Sequence, residues 1–196
     1  MQVGILALQG DYEAHARAIE SCNATPVEIR SAAQLDTIDG LIIPGGESTS
    51  MLKLMEYYEL FEPLRRFGAL KSVFGTCAGA ILVATEVLNP AQASLGLVDL
   101  SIERNAYGRQ LDSRVVRITG HALGGDAELE VVLIRAPIIR RYSGTVLASY
   151  LGSPILLEQG RHLVATFHPE LTADQRVHQR FVSKLRGHET ERTKVE

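Results

Sequence analysis

The stretch "VFGTCAGAIL", residues 73–82, sets a cysteine between two glycines, behind an apolar run and ahead of an alanine-rich helical pattern. A short apolar run that passes through one tight turn into a helix is the signature of a buried parallel strand handing over to a crossover helix. Gly75-Thr76-Cys77-Ala78-Gly79 also has the G-x-nucleophile-x-G spacing of a nucleophile elbow, with cysteine in place of serine. Cys77 therefore has two readings: a small buried thiol, or a nucleophile at the carboxyl end of a strand, where open α/β sheets place their ligands. A helix start directed at the sulfur would favour thiolate, and the N–H of Ala78 would be placed to stabilise an oxyanion. Placement alone leaves both readings open.

Working outward, the same alternation holds through the first 90 residues. "QVGILAL" (2–8), "PVEIR" (26–30), "DGLIIPGG" (39–46) and "KSVFG" (71–75) read as strands. Between them, Asp11 is a helix N-cap candidate, and Ala14, Ala18 and Cys22 recur every four residues with Ile19 beside them, which puts Cys22 on a core-facing stripe. A long helical pattern over 48–67 is expected to break or bend near Pro63. Strand, helix, strand, helix with short connections predicts a mostly parallel central sheet flanked by helices. Later on, "SRVVRITG", "EVVLIRAP", "GTVLASY", "SPILLEQG" and "RHLVATFHP" read as strands separated by turn residues, and an added antiparallel portion is expected in this part of the sequence. A final amphipathic helix carries Val177, Phe181, Val182 and Leu185. One α/β domain over 1–187 and a polar tail over 188–196 is the expected organisation.

Composition excludes several classes. The chain has 196 residues, 45% hydrophobic content and a formal net charge of −3, which gives no electrostatic footprint for nucleic acid or an anionic membrane. No apolar run approaches the length of a membrane span, and "MQVGILALQGD" lacks a basic n-region and a cleavage site, so it reads as a first strand. Cytoplasmic location is the expectation. The two cysteines, Cys22 and Cys77, read as reduced thiols, and no Cys/His spacing resembles a metal site, so no metal and no cofactor is expected.

A nucleophilic cysteine needs a base, and six histidines are available. His15 and His178 lie in helical patterns and His188 in the tail, where solvated roles are expected. His168, in "ATFHPEL", ends a strand and is held extended by Pro169. Residues two apart in an extended segment share a side, so Glu170 can accept from Nδ1 of His168 and leave Nε2 for the thiol. The alternative is a turn with a surface glutamate. In "IIPGGEST" (42–49) a strand ends in a diglycine before a helix start, so Gly46 N–H is a candidate second oxyanion donor; the alternative is an ordinary turn with Ser48 as N-cap. "ERNAYGRQ" (103–110) and "VLIRAP" (132–137) each place an arginine, Arg104 and Arg135, where it could hold a carboxylate.

Taken in order along the chain, "PGGEST", "GTCAG" and "FHPE" resemble a class I glutamine amidotransferase domain. "LALQGD", "ERNAYGRQ", "IRAP" and "FHPELT" narrow the resemblance to the glutaminase subunits of pyridoxal 5′-phosphate synthases, from Val3 to about Leu185. The resemblance implies Cys77 as nucleophile, His168 as acid/base and Glu170 as its orienter. It implies Gly46 and Ala78 as oxyanion donors, and L-glutamine contacts from Gly46, Glu47, Ser48, Arg104, Ile134 and Arg135. It also implies a hetero-oligomer with a (β/α)₈-barrel synthase subunit that receives the ammonia, and weak activity without that partner. Gln9 is expected to take part in the coupling. Two rivals stay in view: the glutaminase of another class I amidotransferase, against which "LALQGD" and "RNAYGRQ" argue, and a cysteine hydrolase of the related α/β superfamily. Members of that superfamily usually place histidine directly after the nucleophile, where this chain has Ala78. A non-catalytic subunit of the same fold is disfavoured by the intact Cys77, His168 and Glu170.

Overall fold

A computed structural model describes residues 1–104, 113–125 and 127–192, with side chains described up to 187. The apolar run at the N-terminus forms β1 (Gln2–Leu6), whose residues after Gln2 are all buried, as a strand covered on both faces requires. It pairs in parallel with β2 (Thr25–Ile29) and β3 (Gly40–Ile43). β3 pairs in parallel with β4 (Ser72–Thr76), and β4 with β12 (His162–Ala165). Two antiparallel strands, β11 (Ser153–Gln159) and β10 (Thr145–Tyr150), extend the edge, giving a seven-stranded sheet of order β10-β11-β12-β4-β3-β1-β2. The expected parallel sheet with an antiparallel addition is what the chain forms.

The sheet separates two apolar layers. One is built on Leu41, Ile43, Val73 and the helices α2 (Ser48–Tyr57), α3 (Phe61–Leu70) and α4 (Ala78–Val83). The other gathers Ile5, Ile42, Phe74 and Phe167 beneath α1 (Tyr12–Ser21) and α5 (Arg176–Arg192). Cys22 is buried in this second layer, as its stripe predicted.

Local details differ from the sequence reading in instructive ways. The break in the long helical pattern comes before Pro63, at Glu59 with φ 55°. Pro63 instead sits in the first turn of α3, where its missing N–H has no intrahelical acceptor to lose. Asp11 occupies the N-cap position of α1, but its side chain makes no capping hydrogen bond. A second sheet, β5 (Ala84–Leu88), β6 (Val98–Glu103) and β9 (Ile138–Tyr142), and the hairpin of β7 (Ser113–Ile118) and β8 (Leu129–Ile134) complete the strands. The sequence reading named the segments of β7 and β8 as strands of the antiparallel portion, but not that they pair as a separate hairpin, and it did not anticipate the second sheet. Among the described residues no helix is long and apolar enough to cross a membrane.

Candidate active site

Four parallel strands, β1, β3, β4 and β12, end at one edge, and each hands over to a segment that carries candidate residues. β4 ends at Thr76, and Cys77 follows with φ 47° and ψ −103° before α4 begins. A positive φ on a residue with a side chain is strained, and it persists only where the surroundings enforce it. Here the enforcement is visible. The N–H of Cys77 donates to the carbonyl of Ala165 on β12 at 2.9 Å. Two residues on, α4 lies so close to β3 that a Cβ on Gly79 would run into the carbonyl oxygen of Ile43. The glycines therefore let helix and strand meet and force the cysteine onto the turn. The sulfur, on a residue 7% exposed, lies 3.9 Å from the Ile134 carbonyl oxygen.

α4 is a helix of six residues, so a long macrodipole is not what faces the sulfur. Its first-turn N–H groups, Ala78 among them, still have no intrahelical acceptor and supply the local positive edge.

β12 delivers the candidate base. His168 follows it with φ −107° and ψ 84°, and its N–H donates to the Val132 carbonyl of β8 at 2.9 Å. Its Nδ1 lies 2.7 Å from Glu170 Oε1, with the Glu170 side chain fully buried. The expected two-residue pairing is thus present, and the surface-glutamate alternative is excluded. Burial alone would lower the imidazole, yet hydrogen bonding and charge from Cys77 and Glu170 overcome it and push His168 up to about 10. Histidine held between a thiol and a carboxylate is therefore poised to carry the proton as an imidazolium.

β3 delivers the diglycine. A Cβ on Gly45 would strike the His168 ring, and Cys77 Cβ is 3.4 Å away from the same point, so this peptide lines the space between thiol and base. Gly46 adopts φ 148° against the side chain of Gln9. With its amide oriented to satisfy both groups, Gln9 donates to the Glu47 carbonyl at 3.1 Å and accepts from the Glu47 N–H at 3.0 Å. The N-cap of α2 is Glu47 and not Ser48. Its carboxylate accepts from the N–H of Thr49 at 3.0 Å and of Ser50 at 2.7 Å. Partial burial opposes the charge, but these hydrogen bonds hold the Glu47 carboxyl down at about 2. Ser48 is left free of the capping role and donates to Gln92 Oε1 at 3.2 Å.

The two arginines arrive from the outer strands. Arg104 follows β6, and its Nη2 donates to Thr49 Oγ1 at 2.7 Å, with Glu47 Oε1 at 3.4 Å. Arg135 follows β8 in a left-handed conformation, φ 43°, and is exposed. The rest of "ERNAYGRQ", from position 105 on, lies outside the described residues. Gly46, Glu47, Ser48, Cys77, Ala78, Arg104, Ile134, Arg135 and His168 all line one cleft of about 340 Å³, together with Gln9. Every sequence-predicted site residue except Glu170 is on that wall. Glu170 stands behind His168.

Residues 5–186 match the SNO glutamine amidotransferase family. The chain belongs to that family. Among relatives of this SNO-family chain, the pyridoxal 5′-phosphate synthase subunit PdxT of Solibacter usitatus is 58% identical over 94% of the chain and 99% of that protein. The subunit of the same name from Koribacter versatilis is 48% identical over 95% and 97%. A crystal structure of a glutamine amidotransferase superposes with a TM-score of 0.85 at 39% identity, covering 93% of this chain and 98% of the other. A putative GMP synthase component from Thermoplasma acidophilum, at 14% identity and TM-score 0.71 with 98% of each chain covered, shares the fold.

One sequence expectation for this SNO-family member is overturned. His15 and His178, read as surface residues, are both 0% exposed. His15 Nδ1 lies 2.9 Å from His178 Nε2, and His15 Nε2 lies 3.1 Å from Thr76 Oγ1 and 3.3 Å from Glu170 Oε2. The signal was available. His15 shares the stripe of Ile19, and His178 stands three, four and seven residues before Phe181, Val182 and Leu185. Periodicity placed both on core faces, and polarity was the wrong guide. Asp11 was also missed as a wall of the cleft. Its carboxylate, His168 and Glu170 each bring one donor atom to within 4.8 Å of one another.

Proposed function

We propose that the chain is the glutaminase subunit of a pyridoxal 5′-phosphate synthase, hydrolysing L-glutamine to L-glutamate and ammonia through Cys77, His168 and Glu170. The observation that carries this is the arrangement of His168, hydrogen-bonded to buried Glu170 at 2.7 Å and coupled to Cys77 on the wall of the cleft. Family membership and relatives named as subunits of that synthase support the substrate and the pathway.

The chemistry follows from the groups present. The Cys77 thiolate attacks the side-chain amide carbon of glutamine, and the carbonyl oxygen takes the negative charge beside the N–H groups of Gly46 and Ala78. Protonated His168 gives its proton to the leaving nitrogen, the C–N bond breaks and ammonia departs. Water, deprotonated by His168, then attacks the thioester, the C–S bond breaks and glutamate is released. Glu170 keeps the imidazole in one orientation and balances its charge in both steps. Arg104, Arg135 and the Ile134 segment hold the amino-acid end of glutamine, with Glu47 and Ser48 lining the same cleft beside Arg104. Because the Glu47 side chain is committed to capping α2, its contact with glutamine is through backbone.

The partner in this reading is a (β/α)₈-barrel synthase subunit that takes the ammonia before bulk water protonates it. Gln9, braced on the Gly46-Glu47 backbone, connects the first strand to the oxyanion peptide and is the residue through which docking sets that peptide. The reaction is placed in the cytoplasm, where reducing conditions keep Cys77 a thiol. Ammonia and glutamate release from L-glutamine, with and without a pyridoxal 5′-phosphate synthase barrel subunit, is the test. Strong stimulation by the barrel, abolished in Cys77→Ala, is expected. Absence of turnover with the barrel, or activation only by a different synthase, overturns the assignment.

A further inference from the structure

Glu170 uses only one oxygen on His168. Its second, Oε2, is buried and makes no aligned hydrogen bond among the described residues. The polar group facing it is Nε2 of His15, 3.3 Å away. A buried carboxylate oxygen without a donor is costly, so the nature of this contact matters.

The tautomer is settled by electrostatics. If His15 carried its proton on Nδ1, the Nε2 lone pair would face the carboxylate, anion-like against anion. With the proton on Nε2, the N–H lies between Glu170 Oε2 and Thr76 Oγ1, at 3.3 and 3.1 Å, and both are acceptors. Nδ1 of His15 is then an acceptor and requires a donor, which is Nε2–H of His178 at 2.9 Å. His178 Nδ1 is left as a bare lone pair, and it has no hydrogen-bond partner among the described residues. Burial, then the neighbouring His178 and His168, oppose any charge on His15, so its contact with Glu170 is that of a neutral donor with an anion. His178 is likewise lowered, to about 4, by burial. The groups meeting here come from every neighbouring element: Asp11, whose carboxylate lies within 4.8 Å of the His168 and Glu170 polar atoms, from the turn before α1, His15 from α1, Thr76 and the ring of Phe74 from β4, Glu170 and His168 from the segment after β12, and His178 from α5.

We infer that His15 and His178 are positioning residues for the reaction proposed above: an ordered pair of neutral imidazoles that fixes the buried carboxylate of Glu170, and through it His168 and the Cys77 thiolate. His178 donates to His15 Nδ1 and His168 donates to Glu170 Oε1, while the His15 Nε2–H donates to Thr76 Oγ1 and faces Glu170 Oε2 at 3.3 Å as a neutral dipole against the carboxylate. The pair stays neutral across the working range, so it stabilises the carboxylate without cancelling the charge that His168 needs. It ties the first and last helices of the chain to the acid/base.

The test reads the thiolate directly. Alkylation of Cys77 by iodoacetamide, followed as modification of the Cys77 peptide to separate it from Cys22, is measured against pH in the free chain. Without the facing His15 N–H, Glu170 orients the His168 imidazolium less firmly, so Cys77 loses part of its charged partner and reacts more slowly. His15→Met is expected to alkylate about three- to tenfold more slowly on the acid limb, the range for losing one neutral polar contact to the buried carboxylate. His15→Gln, whose amide N–H₂ reaches the Nε2 position, keeps the wild-type profile. His178→Leu, which deprives His15 Nδ1 of its donor, moves the limb the same way, and His178→Gln restores it. With the barrel present, kcat falls in the Met and Leu variants while KM for glutamine holds, since neither histidine lines the cleft.

Near-UV circular dichroism identifies which variants are folded, and each donor/no-donor pair is judged separately. A folded Met or Leu variant with the wild-type alkylation profile overturns the inference. So does a Gln variant that behaves like its apolar counterpart, because shape alone would then be the requirement. Alkylation needs neither glutamine nor the barrel, so failure here is distinct from absence of glutamine turnover in the wild type.

Discussion

Glu170→Gln is the substitution that most sharply tests the geometry of the base. The two side chains are nearly the same size, and Gln can still present a carbonyl oxygen to His168 Nδ1, 2.7 Å away in the native pair. What disappears is the negative charge. A hydrogen bond to a charged group contributes about 1.5–3 kcal/mol, and because the Glu170 side chain is fully buried, solvent screens little of it. At about 1.36 kcal/mol per factor of ten, kcat should fall about 10- to 150-fold. KM for glutamine should hold, because Glu170 stands behind His168 and off the cleft wall. The assay is steady-state glutamate release with saturating barrel protein. The same contact predicts a pH dependence of stability. His168 is raised in the folded chain from 6.5 to about 10, so its stabilising contribution is complete below pH about 6.5 and is lost as pH rises through 10. The wild-type melting temperature should therefore fall between pH 7 and 10.5, and fall less in Glu170→Gln. A wild-type kcat, a loss confined to KM, or an identical pH slope in the two proteins would refute the reasoning.

Other perturbations follow from close contacts. Gly45→Ala puts a methyl group into the His168 ring, so glutaminase activity should drop by more than tenfold with the fold retained; normal activity would show that the ring has room to move. Gln9→Ala removes two hydrogen bonds to the Glu47 backbone, each worth about 0.5–1.5 kcal/mol, and should lower the barrel-stimulated rate about tenfold. An unchanged stimulated rate would remove Gln9 from the coupling. Glu47→Ala uncaps α2, and urea denaturation should show a loss of about 1 kcal/mol, with no loss if the exposed carboxylate is replaced by water at the helix end.

How much of this was legible in the chain itself differs from element to element. Short-range chemistry was enough for the sheet and for the residues at its edge. Apolar runs of strand length, punctuated by Gly and Pro, fixed β1, β3, β4 and β12, and the parallel connections then carried Gly46, Cys77 and His168 to one edge without further information. The His168–Glu170 pair was legible because its spacing is local. Cys77 alone was ambiguous between core thiol and nucleophile; its positive φ, its anchor to Ala165 and its neighbours in the cleft are what support the proposed nucleophile. Three-dimensional packing decided what spacing could not. The distance from His15 to His178 along the chain is 163 residues, and nothing local to either says that α1 and α5 meet behind Glu170. Polar residues on an apolar stripe become legible only when the partner that satisfies them is in place, because burying an imidazole is affordable only against another hydrogen-bonding group. The sequence determined which strands line up and which side chains reach their edge; the tertiary structure decided which buried polar groups stand behind them.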